Sequence, residues 1–220
     1  MTIISVAGRI GSGKDTVAEY LINNHQYRKE SFASTLKDAV AAVFGWPRAL
    51  VEGDTPEGRI FRETVDDWWA KKLKLPKLTP RWVLQYWGTE VFRAHFHDNI
   101  WVASLENRLR NITENIVITD CRFPNELKMI KAVGGISIRV ERGEKPEWYD
   151  DAAAYNRGPD GNVRWATGKL TLDRLKIHAS EYSSVGLKYA HIIRNDGTIE
   201  ELYQRVEDII GQPVDHHVST

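Results

Sequence analysis

The sequence predicts a three-layer α/β fold: a parallel five-stranded sheet with helices on both faces. Three observations predict it. A short β-branched apolar run, TIISVA, passes directly into a glycine-rich loop and then into a helical pattern. Strand-like segments alternate with helical ones along most of the chain, as parallel crossovers demand. Between the second and third strands, residues 46 to 111 form a block that is helical in pattern and strandless, an insertion at one edge of the sheet.

The elements follow in order. Residues 2 to 7 read as a buried strand. Past the loop, Val17, Ala18, Leu21 and Ile22 share one helical face, and YRKESF is the expected second strand. Leu36, Ala39, Val40 and Val43 mark a helix that Gly45 can end. Thr79-Pro80 looks like an N-cap with proline at the first helical position, and Asp98 is expected to cap the helix running to Leu109. NIVIT is the third strand and leads to Asp120. Pro124 opens a helix carrying Leu127, Ile130 and Val133, stopped by Gly134-Gly135, and ISIRV is the fourth strand. Residues 142 to 182 turn polar, basic and Gly/Pro-punctuated, which predicts a loop or mobile insertion rather than core. YAHII closes the sheet, Ile199, Leu202, Val206 and Ile209 give the last helix, and the tail after Pro213 is expected to be loosely held. The whole, residues 1 to 220, reads as a single domain.

Composition narrows the function. Apolar content of 42% and charged content of 27% are ordinary for a soluble globular protein. Lys+Arg and Asp+Glu are both 30, so no overall positive field favours DNA or RNA. One cysteine, Cys121, excludes an internal disulfide and fits a reducing compartment. The N-terminus enters a strand at once, without a basic leader or a long apolar segment, so neither signal peptide nor membrane span is expected, and the expected location is the cytoplasm. Six of the eight tryptophans fall between Trp46 and Trp101. Most read as packing; one or two could form an aromatic wall for a planar ligand.

GRIGSGKDT, residues 8 to 16, nearly matches the phosphate-binding loop G-x-x-x-x-G-K-[ST], with Gly8, Gly13 and Lys14 in register. Its glycines let backbone N–H groups converge on phosphate oxygens, and the following helix adds its positive end. Where the motif places a magnesium-binding hydroxyl, this chain has Asp15, with Thr16 one position late. Asp120, at the end of an apolar strand and followed by Arg122, can hold magnesium or its water, while Arg122 can bind phosphate bidentately. Spacing alone leaves open a helix-capping aspartate with an ordinary surface pair. Arg81 stands in the first turn of a helix, where the macrodipole disfavours a cation unless an anion is bound there. Arg59 and Arg62 share a helix face, the usual mark of solvated arginines. His95, His97 and Asp98 lie close together, but no cysteine or second histidine pair at zinc spacing supports a metal.

GRIGSGKDT, LQYWGTEVFR with IWV, ITDCRFPNE, HASE and NDGTIEEL, in this order, resemble the phage-type deoxynucleoside monophosphate kinases, which are P-loop kinases. The resemblance runs from Gly8 to Leu202; D-x-R-F-P-N-E joined to L-Q-x-x-G-T-E carries most of its specificity. It implies a nucleoside monophosphate kinase fold, with the 46–111 region binding the monophosphate and 142–182 acting as a lid. It implies ATP contacts at Gly11, Ser12, Gly13, Lys14, Asp15 and Thr16, with Asn195 and Gly197 near the adenine. Monophosphate contacts are implied at Lys37, Arg62, Arg81, Gly88, Thr89, Trp101, Asp120, Arg122 and Glu126, Arg59 competing with Arg62. Arg157 and Arg164 would be lid arginines. The implied cofactor is Mg2+, held by Asp15 and Asp120. Lys14, Asp15, Arg81, Asp120 and Arg122 form the catalytic set, with Arg81 and Arg122 together expected to hold the acceptor phosphate.

The expected partners are small molecules, ATP and a deoxynucleoside monophosphate, with neither nucleic acid nor membrane. A homodimer is left open, and a phage-encoded chain would work in the host cytoplasm. Two other readings remain: a phosphomevalonate-type small-molecule kinase, which gives no reason for Trp101, and a nucleotide-dependent nucleic-acid-binding regulator, which zero formal charge disfavours.

Overall fold

The computed structural model describes residues 1–159 and 163–211, so the tail after Pro213 lies outside the described residues. The described chain divides into two compact units, one of residues 1–31 with 111–211 and the other of residues 32–110. The helical unit thus begins earlier than the sequence pattern suggests, taking in the helix that precedes Gly45.

The first unit holds five parallel strands in the order β2-β3-β1-β4-β5. They are β1 (Ile3–Gly8), β2 (Arg28–Glu30), β3 (Ile116–Ile118), β4 (Ile136–Glu141) and β5 (His191–Arg194). From β1 the chain crosses through α1 (Lys14–His25) to β2, and from β3 it crosses the other way, through α8 (Pro124–Ala132), to β4. Right-handed crossovers in opposite directions put α1 and α8 on opposite faces. Ile4, Val6, Val117, Ile138, Val140 and Ile193 pack with Val17, Ala18 and Leu21 of α1 and with Leu202, Val206 and Ile209 of α12 (Ile199–Ile210). Alternation along each strand sends the intervening side chains to the other face. Thr198 caps α12 by accepting from Glu201 N, and the Glu201 carboxylate returns to Thr198 N.

Because every strand is parallel, the C-terminal ends of all five share one edge. Gly8 closes β1 there, and Ser31, Asp120, Arg142 and Asn195 follow the ends of the other strands.

The described part of residues 142 to 182 is largely helical rather than a loop. It contains α9 (Tyr149–Asn156), α10 (Val163–Arg174) and α11 (Ala179–Tyr182). Tyr149, Ala152 and Leu172, with Val185, form a satellite core of their own. The polar composition hid these helices because so few side chains are buried in them.

The second unit is helical throughout: α2 (Ser34–Phe44), α3 (Arg48–Glu52), α4 (Pro56–Glu63), α5 (Asp67–Leu73), α6 (Pro80–Gln85), a π-helical segment (Tyr86–Arg93) and α7 (Ile100–Leu109). Phe44 stacks on Trp46 with ring centroids 4.4 Å apart and meets Trp69 edge-on at 4.9 Å. The indole N–H of Trp46 donates to Asp66 and that of Trp69 to the Phe44 carbonyl, so both rings are packing elements with satisfied polar tips. Thr79 caps α6 through Trp82 N, as the sequence predicts. Asp98 does not cap α7. Asn99 holds the cap position, and Asp98 instead accepts from the buried Arg93.

Candidate active site

In the first unit, the turn after β1 is closed by Ser12 N donating to Arg9 O at 3.1 Å. Gly8 is a residue of close approach: a Cβ there would lie 2.3 Å from Ser12 Oγ and 2.6 Å from Val140 O. Gly13 has φ +97°, the left-handed region that glycine enters without steric cost, and its carbonyl starts α1 by accepting from Val17 N. No side chain caps α1, so its first amides keep the unpaired, partly positive character that binds anions. Lys14 Nζ lies 2.6 Å from Asp15 Oδ2; the lysine side chain is mostly covered and the aspartate two-thirds exposed. Thr16 sits in the same first turn.

Next to β1, the residues after β3 set the other half of this edge. Ser31 Oγ, just past β2, donates to Asp120 Oδ2 at 2.6 Å and fixes the carboxylate's direction. Glu126 is only 3% exposed; its carboxylate accepts from Arg122 N at 2.7 Å and Phe123 N at 3.0 Å. It shapes the turn that presents Arg122. The Arg122 side chain is exposed, with no hydrogen-bonding or ionic partner among the described residues. Cys121 is buried, and burial pushes its thiol up, with the Glu126 and Asp120 carboxylates adding to the effect.

Asn195 and Gly197 lie between β5 and α12. Asn195 is buried, and its amide nitrogen donates to the Ser12 carbonyl at 2.8 Å. Gly197 lies in the exposed turn leading into α12. Arg157 and Arg164 are exposed residues of the helical insertion.

In the second unit, Lys37 Nζ is paired with Glu52, and Arg48 bridges Asp38 and Glu52 at 2.6 Å each. Burial alone would push the Glu52 carboxyl up, but Lys37 and Arg48 outweigh it and hold the pKa at about 2. Arg62 packs over Gly53 and donates to the Glu52 carbonyl at 3.3 Å, whereas Arg59 reaches the Asp54 carbonyl at the surface. Arg81, at the second position of α6, pairs with Glu63 of α4. The anion that its place at a helix start calls for is thus present in the protein itself.

Gly88 and Thr89 lie on the π-helical segment, whose wider turn lets Ala94 N reach back five residues to Thr89 O. Trp101 lies inside the unit, 6% exposed, and its indole N–H donates to the Gly88 carbonyl at 2.9 Å. It therefore positions the segment from within and offers no open wall. Arg93, also buried, holds the end of the segment to the Asp98 carbonyl at 2.8 Å. His95 and His97 are bound locally to Glu90 O and Asn99 N, and no metal-binding cluster occurs among the described residues. No helix among them is long and apolar enough to cross a membrane.

Glu52, Ser31 and Arg93 escaped the sequence reading. Arg93 lies within the LQYWGTEVFR run and had a signal there; Ser31 and Glu52 belong to no motif.

No protein-family model matches the chain. Among curated proteins, a protein of Acanthamoeba polyphaga mimivirus provisionally named a deoxynucleotide monophosphate kinase is 33% identical over 156 residues, covering 64% of this chain and 75% of its own. The chain belongs to the deoxynucleoside monophosphate kinase family. The deoxynucleoside-5'-monophosphate kinase of Escherichia phage T5 is 26% identical over 193 residues, covering 62% of this chain and 74% of its own. This kinase is a phosphotransferase, and it carries the family's α/β fold with the glycine loop after the central strand. Solved structures resemble it more distantly. The shikimate kinase of Aquifex aeolicus shares 12% identity over 96% of both chains at TM-score 0.43. The dephospho-CoA kinase of Campylobacter jejuni shares 14% over 96% of both at TM-score 0.40. The strand order and the family membership define the fold.

Proposed function

We propose that this kinase transfers the γ-phosphate of ATP, with Mg2+, to deoxynucleoside monophosphates, producing ADP and the diphosphate. The observation that supports this most is the glycine loop itself: an uncapped helix start, Gly13 at positive φ and Lys14 beside it, at the C-terminal edge of the central strand. Lys14 and the amides of Gly11 to Thr16 bind the ATP phosphates. An oxygen of the acceptor's α-phosphate forms the new bond to the γ-phosphorus while the bond to the β–γ bridging oxygen breaks, and ADP leaves with that electron pair. The acceptor phosphate is ionised at neutral pH, so no residue is needed to remove a proton. Phosphoryl transfer asks mainly for alignment and charge neutralisation.

The acidic side chains fit Mg2+. Asp15 and Asp120 are single carboxylates, and Mg2+ takes one or two of these while drawing its other ligands from waters and substrate phosphates. When bound, it would neutralise charge developing on the β and γ oxygens. Thr16 contacts the α-phosphate, one position later than the usual hydroxyl. Arg81, Arg122, Lys37 and Arg62 neutralise the acceptor, while Gly88, Thr89 and Glu126 contribute through backbone shape.

The family relatives motivate the deoxyribose preference. Tyr86, exposed and stacked on Trp82 at 5.1 Å, offers an aromatic face against a sugar edge. A 2′-hydroxyl buried there without a partner costs about 1–3 kcal/mol, or roughly five- to a hundredfold. The test is ADP release with each of the four deoxy- and four ribonucleoside monophosphates. The expected result is turnover of at least one deoxynucleotide, with dGMP exceeding GMP in kcat/KM if both react. Inertness to all eight would contradict the reading and return attention to a non-nucleotide acceptor.

A further inference from the structure

We propose that Asn195 is a positioning residue for the triphosphate, a buried strut that aims the amides of the glycine loop rather than a contact to the adenine. The inference rests on that loop binding the phosphates of ATP. Asn195 follows β5 directly and is anchored by its own backbone, its N–H donating to the Glu141 carbonyl at 2.7 Å just where β4 ends. Its side chain then spans to the loop, with Nδ2 donating to the Ser12 carbonyl at 2.8 Å. Only a donor can face a carbonyl, so the amide orientation is fixed. At 7% exposure the side chain has little surface left to offer a base.

The consequence for phosphate binding follows from peptide geometry. The Ser12 carbonyl and the Gly13 N–H belong to one planar trans peptide and point in opposite directions. Holding the carbonyl on Asn195 therefore aims the Gly13 N–H away from Asn195, and that N–H has no protein acceptor among the described residues. Without the strut, the loop keeps its Ser12-to-Arg9 turn bond, and a ligand would have to order this peptide as it binds. Gly13 gains a second reason to be glycine. Besides its positive φ, a Cβ at that position would lie 2.3 Å from Asn195 Nδ2. The strut and the glycine are matched parts.

The experiment compares wild type with Asn195→Ala and the near-isosteric Asn195→Asp. Titration calorimetry with ATP, GTP and inorganic tripolyphosphate reads binding, the KM for the monophosphate reads the other substrate, and circular dichroism melting identifies the folded variants. If Asn195→Ala melts below the assay temperature, Asn195→Asp carries the comparison. The expected result is that affinity for all three polyphosphates falls by the same factor, about tenfold, as losing a buried hydrogen bond implies. The monophosphate KM should stay within about twofold. Weaker ATP binding with unchanged tripolyphosphate binding would show an adenine contact and overturn the strut. Unchanged binding of every polyphosphate, or equal losses for polyphosphate and monophosphate, would overturn it too. A wild-type protein that binds neither ATP nor tripolyphosphate would instead refute the loop's assignment, a distinguishable failure.

Discussion

The two units hold their hydrogen-bond donors and cations in opposite ways. The sheet unit offers backbone amides at an uncapped helix start, oriented by glycines and buried hydrogen bonds, and its Arg122 guanidinium is without a protein partner among the described residues. The helical unit offers cations already matched to carboxylates: Lys37 and Arg48 to Glu52, and Arg81 to Glu63. An amide cradle needs no counter-charge, because its donors are fixed dipoles held in place by the fold. Long cationic side chains without an anion would repel one another, so they rest on carboxylates. On the proposed reading, phosphate would meet a preset cradle in one unit and would have to displace a resident carboxylate in the other.

The largest expected effect lies in the sheet unit. Asp15→Ala removes the carboxylate beside Lys14 and should lower kcat by roughly ten- to a thousandfold, with a changed magnesium dependence. Steady-state kinetics across magnesium concentrations check it; an unaltered kcat would break the reading of this site. Next come the arginines. Arg122→Ala and Arg81→Ala should each cost at least about tenfold in kcat/KM for the monophosphate, with ATP affinity unchanged, and lysine should rescue only in part because it lacks the planar fork. A loss confined to ATP binding would move that arginine to the donor side.

The comparison can also be sharpened through stability. The Glu52 carboxyl is depressed in the folded chain to about 2, from an ordinary value of 4.5. Its contribution is therefore complete above about pH 4.5 and disappears as pH falls through about 2. Glu52→Gln should cost about 2 kcal/mol at neutral pH, with the gap to wild type closing in acid. Urea denaturation at pH 7 and pH 3 measures both, and a gap that does not change with pH would show that Glu52 is uncharged or unpaired.

Legibility in the sequence followed the range of the interaction. The strands showed because a buried parallel strand is a short apolar run, and the P-loop showed because its glycines and lysine are contiguous. The π-helical segment over Tyr86–Arg93 did not, since its apolar spacing reads as an ordinary helix and only Ala94 N reaching Thr89 O reveals it. The helices of residues 142 to 182 were hidden by polarity, their satellite core resting on few side chains. Asn195 was legible as part of NDG but not in its contact, which joins it to a carbonyl 183 residues away. The pairing of Lys37 with Glu52, and of Arg81 with Glu63, likewise joins different helices that no motif connects.

The smallest effect is the most direct test of the central contrast. If phosphate must displace Glu63 from Arg81, removing that carboxylate's charge should help the acceptor and leave the donor alone. Exposed pairs of this kind are worth no more than about 1 kcal/mol, so the gain is modest. The measurement is KM for the deoxynucleoside monophosphate and for ATP in Glu63→Gln. The account predicts a monophosphate KM lowered about two- to fivefold with the ATP KM unchanged; a monophosphate KM that rises, or moves together with that of ATP, would contradict it.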